Sequence, residues 1–225
     1  MTSARDLVSR LRKELAGVEQ RLFTHPWIGA VEAGRLGRGE LTRFAAEQRR
    51  IIASDQRSVA LLVHRYGGTP SGSFFAESLK TETAALEALE AFLRALGVDE
   101  DALALLPPLA GAQAYTHYVA WLALYGSDAE FAAAFLVNLP AWGKNCGRLA
   151  KALRVGYKMK EADVAFFSLF AGEAPEFETA AVTVIQAGMD RGVPVTSIRE
   201  AAHLLQQYEL MYWDALHTAA NSTPS

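Results

Sequence analysis

The sequence predicts an all-α protein, built as a multi-helix bundle with a central ligand cavity. Nearly every long segment repeats its apolar residues with the period of an α-helix, and no segment has a strong alternating pattern typical of a strand. Glycine and proline cluster between these segments, where they end helices. The connections are short, which is typical of antiparallel bundles whose ligand sites form between facing helices.

The turn residues separate the first four predicted helices. Asp6 lies near the start of the first helix, where an acidic residue is favoured. Pro26 follows His25 and separates the first helix from the second. The run Gly67-Gly-Thr-Pro-Ser-Gly72 separates the third helix from the fourth. These four helices are predicted over roughly 4–23, 27–34, 39–66 and 72–96.

The remaining four helices are bounded in the same way, by Pro107-Pro108, Gly126-Ser-Asp128 and Gly192-Val-Pro194. Pro140 and Pro175 lie inside two of them and should kink or split them. The sequence therefore predicts one helical domain over residues 1–220, followed by a disordered tail over 221–225. These helices are predicted over roughly 108–125, 128–153, 161–191 and 195–219.

The composition narrows the class of protein. Of the 225 residues 51% are hydrophobic, which is enough for a substantial core. The net charge of −3 leaves no basic excess to neutralise a phosphate backbone, so nucleic-acid binding is not expected. The charged N-terminus does not resemble a signal sequence, and no apolar run approaches the length of a membrane span. A cytoplasmic protein that binds neither nucleic acid nor membrane is therefore predicted.

Glu209 is the candidate catalytic residue. Leu205, Tyr212, Trp213 and Leu216 occupy neighbouring positions around it on the last predicted helix. Such surroundings withdraw water from the charged carboxylate and raise its pKa towards neutrality, where a carboxyl can both donate and accept protons. Tyr212 is a candidate contact for the same ligand. The alternative is a structural glutamate whose partner is a tyrosine hydroxyl or a basic side chain.

Two polar residues interrupt the apolar face of the third helix. Gln48 has Phe44 and Ile51 among its helical neighbours, and Asp55 lies two turns further along, between Ile51 and Val59. A buried amide or carboxylate without a partner costs free energy, so both residues need a protein partner or a ligand. They are candidate ligand-binding residues, with cross-linking of neighbouring helices as the equal alternative.

An aromatic stripe follows one side of the fifth predicted helix. Tyr115 and Tyr118 lie three residues apart, and Trp121 continues the line. Core packing is the more common role of such a stripe, but buried tyrosine hydroxyls need hydrogen-bond partners. If Tyr115 and Tyr118 share one cavity with the polar residues above, their rings can stack on a flat heterocycle.

Metal and thiol chemistry are not predicted. Glu200-Ala-Ala-His203 has the spacing used by di-iron bundles, but Asp214-Ala-Leu-His217 lies on the same helix, and one helix cannot close such a site. Cys146 is the only cysteine, and the sequence shows no adjacent base that would activate it. We therefore predict no metal and no cofactor.

Four groups of residues, in this order along most of the chain, resemble the TenA family. This family belongs to the heme-oxygenase-like helical bundles, and it includes thiaminase II and, more distantly, the synthase of pyrroloquinoline quinone. The resemblance rests on Thr24-His-Pro-Trp27 with Ala33-Gly-Arg-Leu36, Ala114-Tyr-Thr-His-Tyr118, Leu139-Pro-Ala-Trp-Gly143 with Gly147-Arg-Leu149, and Glu209-Leu-Met-Tyr-Trp-Asp214.

The resemblance implies roles for several of these residues. Thiaminase II members hydrolyse aminopyrimidines in a pocket that contains a catalytic glutamate, an aspartate, tyrosines and a nucleophilic cysteine. Glu209 matches the glutamate and Tyr115 a pocket tyrosine, while Phe170 replaces another tyrosine. Gln48 or its neighbour Arg49 occupies the aspartate position, and Ala141 replaces the cysteine.

These replacements favour two interpretations of function. The first is a divergent TenA-like enzyme of thiamine metabolism that hydrolyses a small nitrogen heterocycle without a cofactor, with Glu209 as general acid and base. The second is a non-catalytic binding or accessory protein for a small aromatic or heterocyclic metabolite. Asp55 and Cys146 are candidates to replace the absent family residues. Alanine- and leucine-rich helix faces also predict a homo-oligomer.

Overall fold

The computed structural model describes residues 3–222, which fold into ten α-helices and one 3-10 helix, with no strand in this part of the chain. The helices are α1 (Ala4–Phe23), α2 (Pro26–Glu32), α3 (Arg38–Tyr66), α4 (Gly72–Ala95), α5 (Glu100–Ala104), α6 (Ala110–Tyr125), α7 (Asp128–Gly156), the 3-10 helix Glu161–Val164, α8 (Ala165–Phe170), α9 (Pro175–Asp190) and α10 (Val195–Ser222). The all-α prediction is confirmed.

The prolines behave differently from each other. Pro140 lies inside α7, which continues through it as one helix instead of splitting. Proline lacks the N–H that would bond to the carbonyl four residues earlier, so packing on both sides must hold α7 together. Pro175 marks a split in the predicted helix over 161–191, because α8 ends at Phe170 and Pro175 begins α9, where its missing N–H would be unpaired in any case.

Other differences concern helix ends. The predicted helix over 161–191 is three elements, the 3-10 helix, α8 and α9, and the short helix α5 was not predicted. α10 continues through Asn221 and Ser222, which the sequence assigned to a disordered tail. The rest of that predicted tail, 223–225, lies outside the described residues.

Two hydrophobic clusters fill the bundle. One surrounds Trp27, Phe44 and Trp213, and the other surrounds Phe75 and Phe131. α10 packs against α6 and α7, while α3 packs against α4 and α6. This arrangement brings α3, α6, α7 and α10 together at the centre, where the polar residues of the candidate site lie. No helix within residues 3–222 combines the length and apolarity needed to cross a membrane.

Candidate functional site

A cavity of about 70 Å³ lies between the central helices. Six of the seven site residues expected from the sequence line it, and they come from α3, α6, α8 and α10. Most of the wall is apolar, and the polar groups are few, as is usual for a small-molecule site. The six residues are Gln48, Asp55, Tyr115, Phe170, Glu209 and Tyr212.

Glu209 is buried, with 2% of its surface exposed. Its Oε1 accepts a hydrogen bond from Trp213 Nε1 at 3.1 Å, and its Oε2 accepts one from Asn138 Nδ2 at 2.5 Å. Burial raises the pKa of Glu209 to about 7, while the hydrogen bonds from Trp213 and Asn138 act in the opposite direction. Near neutral pH the carboxyl group is therefore poised between its acid and base forms.

Asn138 is a central site residue that the sequence reasoning missed. Its amide nitrogen donates to Glu209 and to Gln206 Oε1 at 2.9 Å, while its amide oxygen accepts a hydrogen bond from the Tyr115 hydroxyl at 3.2 Å. One amide thus connects α6, α7 and α10. The available signal was a single asparagine in the otherwise apolar segment Phe131–Pro140.

An aromatic cluster supports Glu209 from behind. The Trp213 ring that donates to Glu209 packs against Trp27 at 5.4 Å, Trp142 at 5.8 Å and Phe44 at 6.1 Å between ring centroids. Trp213 has no exposed surface. Since the cluster fills one side of α10, the carboxyl group of Glu209 is held towards the cavity.

Gln48 and Tyr212 form a second polar part of the wall. Burial raises the pKa of Tyr212 well above its usual value, and the nearby Gln48 side chain lowers it. The Tyr212 hydroxyl is nevertheless buried without a well-formed hydrogen bond. Arg49, the other candidate for the family's aspartate position, instead pairs with Glu90 at 2.8 Å and Glu100 at 2.9 Å.

Asp55 faces the cavity together with Glu82, which the sequence reasoning did not identify. Asp55 is 3% exposed and accepts a hydrogen bond from Thr116 Oγ1 at 2.5 Å. Burial raises the pKa of Asp55 to about 7, although the Thr116 hydrogen bond lowers it. Glu82 is half-buried and lies in the wall of the cavity. Burial and the charge of Asp55 raise the pKa of Glu82 well above its usual range.

Tyr118 does not belong to this cavity. It lies one helical turn from Tyr115, but its ring stacks on Trp121 at 5.7 Å and packs against Tyr208 at 5.2 Å. Trp121 is 46% exposed, so this pair forms part of the outer surface of α6. The α6 stripe is therefore divided, because three residues turn an α-helix by about 300° rather than a full turn, so the two rings point in different directions.

Tyr115 lies between the two acidic parts of the cavity. Burial raises the pKa of its hydroxyl well above the usual value, and the charges of Asp55, Glu209 and Glu82 raise it further. The hydroxyl therefore stays protonated and donates a hydrogen bond to Asn138 Oδ1. This hydrogen bond fixes the orientation of the Asn138 amide that holds Glu209.

The cavity wall does not contain a thiol. Ala141, which the resemblance places at the family's cysteine, is fully buried, and neither it nor Cys146 lines the cavity. Burial and the charge of Glu209 raise the pKa of Cys146 well above its usual value, so its thiol stays protonated. The geometry therefore does not support Cys146 as a replacement for the family's cysteine.

The described residues include no group of three or more metal-binding side chains that could hold an ion. His203, from the Glu-x-x-His spacing on α10, binds Glu14 at 3.0 Å instead. His25 accepts a hydrogen bond from the Trp27 backbone N–H, so its Nε2 donates to Asp214 at 3.2 Å. Both histidines connect helices.

A larger groove of about 1260 Å³ adjoins the cavity. The two spaces share Glu82, Phe135, Leu139 and Phe170, which therefore form the boundary between them. The cavity and the groove are therefore neighbouring spaces that have part of one wall in common.

The fold and the site together define a heme-oxygenase-like helical bundle that surrounds a small, partly polar cavity. A model of the TENA/THI-4/PQQC family matches residues 12–219, and the chain belongs to this family. Comparison with curated protein sequences found no match.

Solved structures share the fold at low sequence identity. A TenA homologue from Pyrococcus furiosus has 19% identity and a TM-score of 0.73, over 93% of this chain and 99% of its own. A putative TenA-like thiaminase from Sulfolobus solfataricus has 13% identity and a TM-score of 0.65, over 94% and 96%. A heme oxygenase from the cyanobacterium Synechocystis, in complex with heme, has 12% identity and a TM-score of 0.65, over 94% and 91%.

Proposed function

We propose that the cavity binds a small nitrogen heterocycle and that Glu209 acts on it as general acid and base in a cofactor-independent hydrolysis. The observation that carries this proposal is a buried carboxyl group with a pKa of about 7 that faces the cavity. Each Glu209 oxygen accepts one hydrogen bond from the protein, which leaves a lone pair on each for a ligand or water.

The proposed reaction uses water as the nucleophile, because no thiol lines the cavity. Glu209 in its carboxylate form accepts a proton from the water. The water oxygen forms a bond to a carbon of the substrate as the bond from that carbon to the leaving nitrogen breaks. Protonated Glu209 then returns the proton to the leaving nitrogen, so one water is consumed and the enzyme is regenerated.

Gln48 and Tyr212 supply the polar contacts that would orient such a ring, and Phe170 supplies an apolar face. A glutamine side chain can both donate to and accept from a heterocycle, but it carries no charge. The binding mode therefore differs from that implied by the family's aspartate at this position.

The test compares wild type with Glu209→Gln on thiamine and aminopyrimidine products of its breakdown. We expect wild-type turnover and a loss of roughly 100-fold or more in the variant, since a general acid or base contributes about that much. Glu200→Gln, on the exposed side of α10, is the matched control and should keep wild-type activity. Equal turnover by wild type and Glu209→Gln, or none by either, removes the proposed role.

The second candidate function is non-catalytic binding, and Ala141 in place of the family's cysteine favours it. A thermal-shift screen with the same compounds separates the two functions. A stabilising compound recovered unchanged supports binding alone, whereas a converted product supports the enzyme. The cytoplasmic location and homo-oligomeric state expected from the sequence remain predictions.

A further inference from the structure

The cavity contains two carboxyl groups, Asp55 and Glu82, that the proposed role of Glu209 does not use. Asp55 accepts its side-chain hydrogen bond from Thr116 alone among the described residues. Glu82 accepts no hydrogen bond and forms no ion pair within residues 3–222. A nearby cation favours the ionised form of a carboxyl group, and a carboxylate has about four acceptor positions, so most of the acceptor capacity of this pair is free to meet a cationic ligand.

A third polar group in the same cavity is incompletely satisfied. The Tyr212 hydroxyl lines the cavity, its residue is 2% exposed, and it has no well-formed hydrogen bond, although the Gln48 side chain lies nearby. Leaving a buried hydroxyl unpaired costs free energy, and such groups in proteins are usually satisfied by protein, water or ligand. This hydroxyl therefore indicates a polar guest independently of the acidic pair.

The adjoining groove favours a positively charged guest. Its two cationic side chains are partly engaged already: Arg12 pairs with Glu178 at 3.1 Å, and Lys144 Nζ lies 4.0 Å from the centre of the Phe23 ring. A surplus of negative charge along a concave surface attracts cations and raises their local concentration. The carboxylates that line the groove are Glu19, Glu77, Glu82, Glu173, Glu176 and Glu178.

We propose that Asp55 and Glu82 bind the positively charged nitrogen group of a cationic ligand whose ring extends towards Glu209. The ligand class is an aminoheteroaromatic cation or an aromatic amidinium, in which a flat ring carries N–H donors at one end. This inference rests on the proposed function, because it assumes that the cavity receives a small nitrogen compound. Asp55 and Glu82 bind the ligand and take no part in bond breaking.

The experiment measures binding of 4-aminopyridinium and of aniline by isothermal titration calorimetry at one fixed pH. The two probes have nearly the same shape, but only the first is a cation near neutral pH. We expect wild type to bind the cation at least about tenfold more tightly, since hydrogen bonds to charged groups contribute this much. Glu82→Gln and Asp55→Asn should each remove most of that preference.

Glu87→Gln, which changes an exposed glutamate on the same helix as Glu82, is the matched control and should keep the preference. Equal binding of the two probes by wild type overturns the proposal, as does failure of the cation to bind. Unchanged preference in both Glu82→Gln and Asp55→Asn also overturns it.

Glu209→Gln separates this inference from the proposed catalysis. If that variant and wild type both prefer the cation but neither converts any compound, the acidic pair stands and the hydrolytic role of Glu209 fails. If wild type converts a heterocycle but binds aniline as tightly as the cation, the acidic pair fails while the role of Glu209 stands.

Discussion

Asn138 connects three helices through one amide group, and Glu209 depends on it directly. The amide nitrogen uses both protons, one for Glu209 and one for Gln206, and the oxygen accepts from Tyr115. With both N–H groups and one lone pair of the oxygen engaged, the side chain has one favourable orientation. Asn138 is thus a positioning residue for the candidate catalytic carboxyl group.

We predict that Asn138→Ala destabilises the protein by roughly 3 kcal/mol, since it removes three hydrogen bonds and leaves buried groups unpaired. It should also raise the pKa of Glu209 further, because the lost hydrogen bond favours the charged form. Urea unfolding measures the first effect, and carbon NMR of the Glu209 carboxyl measures the second.

Asn221→Ala, at the exposed end of α10, is the control for both measurements and should leave both unchanged. An Asn138→Ala protein with wild-type stability and the wild-type Glu209 pKa would show that the amide does not organise the site.

The residues that the sequence identified share one property, which is a polar group among apolar helical neighbours. That property predicts burial, and Glu209, Gln48 and Asp55 are all buried. It does not predict which buried groups meet, because contacts between helices depend on their rotation and separation. Tyr118 shows this limit, since it belongs to the same stripe as Tyr115 but packs against Trp121 and Tyr208 outside the cavity.

At the scale of elements, Gly143 brings α7 and α8 together beside the cavity. A Cβ atom at this position would lie 2.6 Å from the carbonyl oxygen of Phe170. Only glycine therefore permits the present separation of the two helices at this point. The same contact places Phe170 at the boundary between the cavity and the groove.

We predict that Gly143→Ala destabilises the protein by about 1–3 kcal/mol, because the added methyl group forces α8 away from α7. The contrasting variant is Gly17→Ala, where nothing lies within 4 Å of the added atom in helix α1. That change should be neutral or stabilise by up to roughly 1 kcal/mol, owing to the higher helix propensity of alanine. Thermal unfolding of both variants measures the difference, and an equal effect of the two would refute the close contact.

The helices were predictable to the extent that local signals decide them. The boundaries of α1 and of α6 with α7 follow capping and turn residues, and the prediction located them well. The region after α7 was not predictable, because its elements are too short to show a period and are held by packing on α4 and α7. Pro140 also remained ambiguous, since sequence cannot tell whether neighbouring helices will hold a helix together across a proline.

At the scale of the whole molecule, the buried carboxyl groups link stability to pH. In the folded protein the pKa of Glu209 is raised from 4.5 to about 7, and that of Asp55 from 3.8 to about 7. Between those values the folded state holds protons that the unfolded state has released. The stabilisation of the folded state by these groups is therefore complete below about pH 4 and is lost as the pH rises through about 7.

We predict that Glu209→Gln removes its part of this dependence. The shift of Glu209 corresponds to about 3 kcal/mol, at about 1.4 kcal/mol for each pH unit. Relative to wild type, the variant should thus gain about that much stability between roughly pH 4 and pH 8. Urea unfolding at both values gives the comparison.

Glu200→Gln provides the reference for this measurement, because that side chain is exposed on the same helix. A parallel pH dependence of wild type and Glu209→Gln would contradict the raised pKa in the folded state.

The boundary of Glu82, Phe135, Leu139 and Phe170 between groove and cavity also bears on kinetics. Phe135 stacks on Phe131, with ring centroids 4.4 Å apart, and Phe170 packs against Trp142 at 6.0 Å. Because these packed rings line the boundary, we expect them to slow both the entry and the release of a guest that crosses it. A smaller side chain at position 170, as in Phe170→Ala, should therefore raise both the association and the dissociation rate of a ligand. The equilibrium affinity should change less than either rate.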